Sequence, residues 1–222
     1  MKRFTGLLVS LAAVVVLAVI PLITHKDSSM QSMFTILLGI ALASSLNILL
    51  GYTGYVSFGH IVYFGIGGYV GFYTMAQLGQ SLWIALLAGA AAAAVFSFLL
   101  GSAILRLRGA YFALATIGVN EAMKALVSNF DPFGGPIGMT LKVSFYKDYG
   151  GFSNIGWMSY RLLIVVTLAV VITSYLVKKS KFGLGLMAIR EDEDAAEVMG
   201  VRAPSAKTWA YVLSAVFPAL VG

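Results

Sequence analysis

An all-α integral membrane bundle is the fold class this sequence predicts, and three observations predict it. Hydrophobic residues make up 59% of the chain and charged ones 11%, far from the balance of a soluble domain. The apolar residues fall into long runs, about six of them long enough to cross a bilayer, with a seventh begun near the end of the chain. The charges gather at the ends of these runs, above all in residues 178–207, which hold six of the fifteen Lys/Arg and five of the nine Asp/Glu. Residues 1–222 therefore read as a single transmembrane domain, incomplete at its C-terminus.

Lys2 and Arg3 precede a run at 4–23, long enough for ~30 Å of hydrocarbon. It ends in P-L-I-T-H-K-D with no small-x-small cleavage pattern, which predicts a retained helix and not a secretory signal. On the next run, 33–50, Gly39, Ala43, Asn47 and Gly51 recur every fourth residue, a stripe that should face protein. The stretch L-G-Y-T-G-Y-V-S-F-G-H (50–60) then interrupts two apolar runs without a charge. The run after it, 61–76, is short and carries Gly65, Gly67, Gly68 and Gly71. Irregular backbone at membrane depth is tolerated only where protein covers it or it lines a cavity. These residues therefore predict a discontinuous helix beside a transport path.

Run 82–105 sets Ala85, Gly89, Ala93, Ser97 and Gly101 on one face, where a second helix can approach backbone to backbone. It ends in L-R-L-R-G. Run 110–130 carries Asn120, Glu121 and Lys124, the last two spaced to pair on a helix toward its outer end. Residues 131–159, with Pro132, Pro136 and Trp157, read as an ordered extracytoplasmic loop, and 160–177 as a β-branched span against lipid. A further apolar run opens at Thr208.

Charge orients the bundle. If Lys2 and Arg3 are cytoplasmic, alternate crossings put Arg106, Arg108 and all of 178–207 on that side too, ten of the fifteen Lys/Arg. Lys26, Lys142, Lys147 and Arg161 fall outside. The net charge of +6 is then a matter of membrane orientation and does not point to nucleic acid. The absence of cysteine excludes disulfides, thiolate metal sites and cysteine nucleophiles. His25 and His60 are isolated, which argues against a metal site. No G-x-x-x-x-G-K-[ST] occurs, so ATP binding is not this chain's own task.

A segment as polar as 178–207 must face water or a soluble partner, since each charge in hydrocarbon costs on the order of 3 kcal/mol. It predicts two short helices, 182–190 and 192–199, with an Asp as N-cap and Gly200 ending the second. Ala195, Ala196, Val198 and Met199 would form an apolar side for a soluble protein, while Glu191, Asp192 and Glu193 face water. A solvated connector is the plainer alternative. The loop 47–60 is the candidate path, because Asn47, Thr53, Ser57 and His60 supply uncharged hydrogen-bonding groups and Gly51, Gly54 and Gly59 free the backbone to bend. Asn120 and Glu121 are further candidates, since polar groups within a span mark pathways by default.

The run D-A-A-E-V-M-G (194–200) resembles the E-A-A-x-x-x-G loop of ABC importer permeases, with Asp for Glu. The wider S-K-F-G-L-G-L-M-A-I-R-E-D-E-D-A-A-E-V-M-G-V, followed by A-Y-V-L-S-A, is similar to the LivM-type permease subunit of branched-chain amino acid ABC importers. L-N-I-L-L-G-Y-T-G-Y-V-S-F-G-H-I-V-Y-F-G-I-G-G-Y, L-R-L-R-G-A-Y-F-A-L-A-T and G-G-P-I-G-M agree with it, in family order, across most of 46–222. The resemblance implies a pore-forming subunit in the cytoplasmic membrane of a bacterium or archaeon, paired with a second permease subunit. An extracytoplasmic amino-acid-binding protein would serve it, and two cytoplasmic ATPase subunits would use ATP and Mg on its behalf, with no cofactor on this chain. Gly183, Arg190, Glu191, Asp194, Ala195, Ala196 and Gly200 would then be the ATPase-coupling residues.

Two other classes are weaker. An intramembrane serine protease built on Ser57 and His60 lacks the G-x-S-x-G elbow. A secondary transporter usually carries ionisable residues deep in several spans, and only Glu121 qualifies here. Within the importer class, urea or short amides are alternative cargo.

Overall fold

The computed structural model describes residues 5–24, 27–139 and 151–222. Lys2, Arg3, His25, Lys26, Lys142 and Lys147 lie outside the described residues, and with them part of the orientation count. Among the described residues the regular elements are all helical, as expected: α1 (Thr5–Thr24), α2 (Asp27–Thr53), α3 (His60–Ala76), α4 (Leu82–Ile104), α5 (Ala110–Ser128), α6 (Phe152–Lys179), α7 (Lys181–Glu191), α8 (Glu193–Val198) and α9 (Ala203–Val221). Single 3₁₀ turns at Asp131–Phe133 and Gly135–Ile137 follow α5.

Among the described residues, three helices are long and apolar enough to cross a membrane: Asp27–Thr53, Leu82–Ile104 and Asn154–Lys179. The others are shorter or more polar. α3 has 17 residues, a rise of about 26 Å at 1.5 Å per residue, and α5 carries Asn120, Glu121 and Lys124.

α9 is the helix around which the others assemble, with Ala203, Lys207, Ala210, Tyr211, Ser214, Ala215 and Ala219 among its buried residues. The expected stripe on α4 is buried in full: Ala85, Gly89, Ala93, Ser97 and Gly101. It receives α3 at backbone distance, and α9 through side chains, with the Tyr211 ring lying over Gly101. A methyl group on Gly89 would lie 3.0 Å from the Gly67 carbonyl oxygen, and one on Gly67 would run into the backbone of Ala219. Lipid gives helices no hydrophobic reason to associate, so this close van der Waals fit is what small residues supply. Aromatic rings of Tyr63, Phe96, Phe112 and Tyr211 fill the space alongside, edge to face.

Three expectations are corrected. On α2 the expected stripe is split: Gly39 and Ala43 are exposed, Asn47 reaches Ser174 of α6 and the Gly51 carbonyl accepts from Arg190, while the buried side is Leu37, Ala41, Ser45, Ile48, Leu49 and Tyr52. The bulkier apolar face has more area to bury against α6 and α9, and it wins. The loop expected over 131–159 gives way to helix at Phe152, after Gly151 with φ 97°. Trp157 lies on that helix with its ring against Tyr160. Nor does α6 merely meet lipid: Tyr160, Leu163, Thr167 and Val170 are buried, and the Tyr160 hydroxyl donates to the Ala18 carbonyl of α1 at 3.2 Å.

The two ends of the bundle differ. At one, the last residues of α2 and α4, the first of α9, and all of α7 and α8 converge. At the other, Phe133 stacks against Tyr69 and Tyr73 at the far end of α3.

Candidate functional site

The charged end is built from local rules. Ser180, in extended conformation after α6, accepts a hydrogen bond from the Gly183 amide at 3.0 Å and so caps α7. Gly183 packs so closely on the Val177 carbonyl that any side chain there would collide with it, which makes the α6–α7 corner sharp. Asp192 caps α8 by accepting from the amides of Asp194 and Ala195, both at 3.0 Å. Gly200, at φ 91°, ends it, with the Val201 amide donating back to the Ala196 carbonyl at 3.0 Å. The two helices, the Asp cap and the glycine stop were all legible in the sequence.

The side chains of this end divide into inward and outward sets. Arg190, itself exposed, reaches back over the bundle end and donates from Nη1 to the Gly51 carbonyl at 2.9 Å, joining α7 to the end of α2. Gly54, at φ 76°, lies under its Cγ: a methyl group there would come within 3.2 Å of it. Ala196 is buried, and Glu193 is inward as well; neither belongs to the water-facing or partner-facing surface expected of it. The physical reason is a cation at the last position of the 178–207 segment. Lys207 is 2% exposed. Its ammonium donates to Glu193 Oε1 at 2.7 Å, to the Leu105 carbonyl at 2.9 Å and to the Tyr55 hydroxyl at 3.0 Å. Tyr55 in turn donates to Glu193 Oε2 at 2.7 Å.

A signal for this existed. Ala203, Lys207, Ala210, Tyr211 and Ser214 share one helical face, so a lysine on it had to be buried and had to find a carboxylate.

Arg108, on the α4–α5 link, grips Asp194 with both terminal guanidinium nitrogens, Nη2 at 2.8 Å and Nη1 at 3.2 Å, and lies 3.7 Å from Glu193. The geometry is bidentate. Burial pushes the Glu193 carboxyl up, but hydrogen bonds from Lys207 and Tyr55 and the two cations outweigh it, leaving the group below its ordinary value. The Arg108 hydrogen bond holds Asp194 below its ordinary value, and the same bond raises Arg108. What remains for a partner is the outer face: Glu191, Ala195, Glu197, Val198 and Met199 are exposed, Val198 at 87% and Met199 at 84%. Two large apolar side chains so open at the tip of a charged helix form a surface suited to docking.

The candidate path residues sit behind this end. Asn47 donates from Nδ2 to Ser174 Oγ at 3.3 Å, and the Tyr52 hydroxyl donates to the Ser174 carbonyl at 2.8 Å. Thr53 is buried and bonded to the Leu49 carbonyl. From Gly54 the chain turns back into the bundle. The Phe58 amide donates to Thr116 Oγ1 of α5 at 3.1 Å, and a methyl group on Gly59 would lie 3.2 Å from the Thr116 carbonyl oxygen. His60 Nε2 is 3.0 Å from Ser214 Oγ, whose own carbonyl accepts from Ser45. α3 thus begins inside the bundle, below the level of the charged cluster. Ser57 Oγ and His60 Nδ1 are buried without a hydrogen-bond partner among the described residues.

Asn120 and Glu121 are not brought to this group. They lie further along α5, Glu121 exposed, and among the described residues no ion pair joins it to Lys124. No cluster of three or more His, Cys, Asp or Glu suited to a metal occurs among the described residues.

Residues 28–222 match the family described as branched-chain amino acid transport system / permease component. The chain is 30% identical to the high-affinity branched-chain amino acid transport system permease protein LivM of Escherichia coli (strain K12), over 96% of this chain and 55% of that protein. It is 31% identical to the protein of the same name from Salmonella typhimurium (strain LT2), over 88% of this chain and 51% of that one. The chain spans about half the length of the curated relatives it matches. No solved structure matches.

Proposed function

The chain belongs to the branched-chain amino acid transport permease family, and on that premise we propose that it is a membrane-spanning subunit of an ATP-binding-cassette importer for leucine, isoleucine and valine. It works in the cytoplasmic membrane with its N-terminus inside, through six spans followed by the helix α9. Its partners are a second permease subunit, two cytoplasmic ATPases that hold the ATP and Mg, and an extracytoplasmic amino-acid-binding protein. It is a transport subunit and not an enzyme.

One observation carries this reading: the α7–α8 pair is fastened to the bundle by Arg190 on Gly51, Glu193 on Lys207 and Asp194 on Arg108, while Val198 and Met199 stand exposed at its outer edge. A solvated connector needs neither feature. An element that receives a push from a soluble motor needs both, a grip outside and a firm attachment inside. The re-entrant 54–60 stretch behind it, lined by Thr53, Ser57 and His60, is where cargo passes: wide in glycine, weakly polar and free of charge.

The test is uptake of radiolabelled leucine in cells carrying the whole transporter, with the partner ATPase disabled at its own nucleotide site and the ion gradient kept. Uptake should fall to background. Uptake that survives belongs to a secondary transporter.

A further inference from the structure

We infer that Lys207 is a positioning residue, the centre of a buried ionic latch that makes α8, the foot of α9 and the two inter-helix links at this end move as one body. The inference rests on the reading of α7–α8 as the element a motor drives. It concerns what that element is fastened to.

The stoichiometry of the cluster is the argument. A lysine ammonium has three N–H donors and no acceptor. Lys207 uses all three, on Glu193 of α8, on the Leu105 carbonyl at the end of α4 and on Tyr55 of the α2–α3 link. Glu193 is satisfied in the same way, with one carboxylate oxygen taken by Lys207 and the other by Tyr55. The Lys207 ammonium also lies 4.7 Å from the centre of the Tyr55 ring. Leu105 follows the last residue of α4, where unpaired carbonyls and the negative end of the helix dipole favour a cation.

A buried ion pair is a poor means of adding stability, because desolvation of both charges offsets the attraction. Its distinctive property is that it tolerates one geometry and penalises the rest. A lysine 2% exposed, with every donor spent on a different segment, therefore fixes relative position. Arg108 extends the latch to the α4–α5 link through Asp194, on the exposed side of the same helix. A displacement of α8 cannot then be absorbed as bending of α8 alone. It is delivered to α9, which α3 meets at backbone distance and α4 meets through Gly101 and Tyr211, and to the link that leads into the Ser57–His60 stretch.

The experiment compares the intact transporter with Lys207→Met/Glu193→Gln, which removes both charges together and leaves neither stranded. Two quantities are read: hydrogen exchange across 181–200, and leucine taken up per ATP hydrolysed. The latch predicts exchange across 181–200 at least tenfold faster, with α4 and α9 unchanged. It also predicts uptake per ATP at least tenfold lower in complexes that still contain the ATPases. A bifunctional thiol reagent joining cysteines placed at 108 and 194 in the double variant should recover at least a third of the lost uptake per ATP. Unaltered exchange and an unaltered ratio overturn the latch.

If the double variant does not assemble, Tyr55→Phe decides. It deletes one hydroxyl, and a two- to threefold fall in uptake per ATP supports the latch while wild-type coupling rejects it. Failure of the parent reading looks different. The wild-type transporter would then take up leucine without ATP hydrolysis, and the exchange measurement would still decide on the latch.

Discussion

α5 and α9 are both 19 residues long, and each carries lysine, yet they teach opposite lessons about charge in a membrane protein. α5 buries only Phe112 and Thr116 of its length, and its Glu121 and Lys124 are exposed and unpaired with each other among the described residues. α9 is buried along most of its length, and its Lys207 is enclosed by three acceptors from three other segments. The rule that an ionisable residue in a span marks function points to α5 when hydropathy alone defines the span. It points to α9 when the face is considered, because Lys207 shares its stripe with Ala203, Ala210, Tyr211 and Ser214.

The sharpest way to break this contrast is Lys207→Met alone. It leaves Glu193 ionised with one of its partners gone, and truncating one member of a buried pair costs on the order of 3 kcal/mol. Thermal inactivation in detergent should move well below wild type, and the double change with Glu193→Gln should be milder than the single one. A single variant as stable as wild type would mean that Lys207 is not enclosed.

Next comes Gly67→Ala, which tests the crossing of α3 and α9. The added methyl meets the Ala219 backbone, which cannot swing aside as a side chain could. A loss of about 2 kcal/mol follows from overpacking. The same substitution at Gly39, which faces open space, should lose nothing.

Gly54→Ala should cost roughly 1 kcal/mol, since φ 76° is a left-handed conformation that L-residues resist. The loss should appear as faster exchange in 51–60 and not in α9.

Acid probes the latch without mutation. Glu193 and Asp194 are held below their ordinary values, and a carboxyl so depressed adds stability above its ordinary value that is lost as pH falls through the folded one. Protection of 181–200 should therefore be flat from pH 8 to 5 and weaken only below the ordinary carboxyl value of 4.5. Loosening already at pH 6 would point to a histidine instead. The smallest effect belongs to α5: Glu121→Gln and Lys124→Gln should each stay within about 0.5 kcal/mol of wild type, as exposed substitutions do.

Much of the fold could be read from residues because it is written in periods. The α4 stripe, the Asp192 cap and the Gly200 stop are local patterns, and each is where its pattern puts it. Azimuth was harder. The stripe Gly39, Ala43 and Asn47 says only that something can come close, and in this chain the bulkier face of α2 is the one buried. Glu193 and Ala196 turn inward for a related reason. Within a run of four acidic residues, only the partner, fourteen positions away at Lys207, decides which one turns inward. The start of α6 at Phe152 is hidden because 152–159, with two serines, an asparagine and a glycine, reads as loop unless Trp157 and Tyr160 are seated against α1 and α2.

The proposed arrangement puts the exposed tip of α8 in the cytoplasm, under an ATPase. The chain has no cysteine, so Val198→Cys offers a single thiol at that tip for a membrane-impermeant maleimide. It should label in inside-out vesicles stripped of peripheral proteins, be protected when the partner ATPase is added back, and stay unlabelled in intact cells. Labelling from the outside of intact cells would contradict the account at its root.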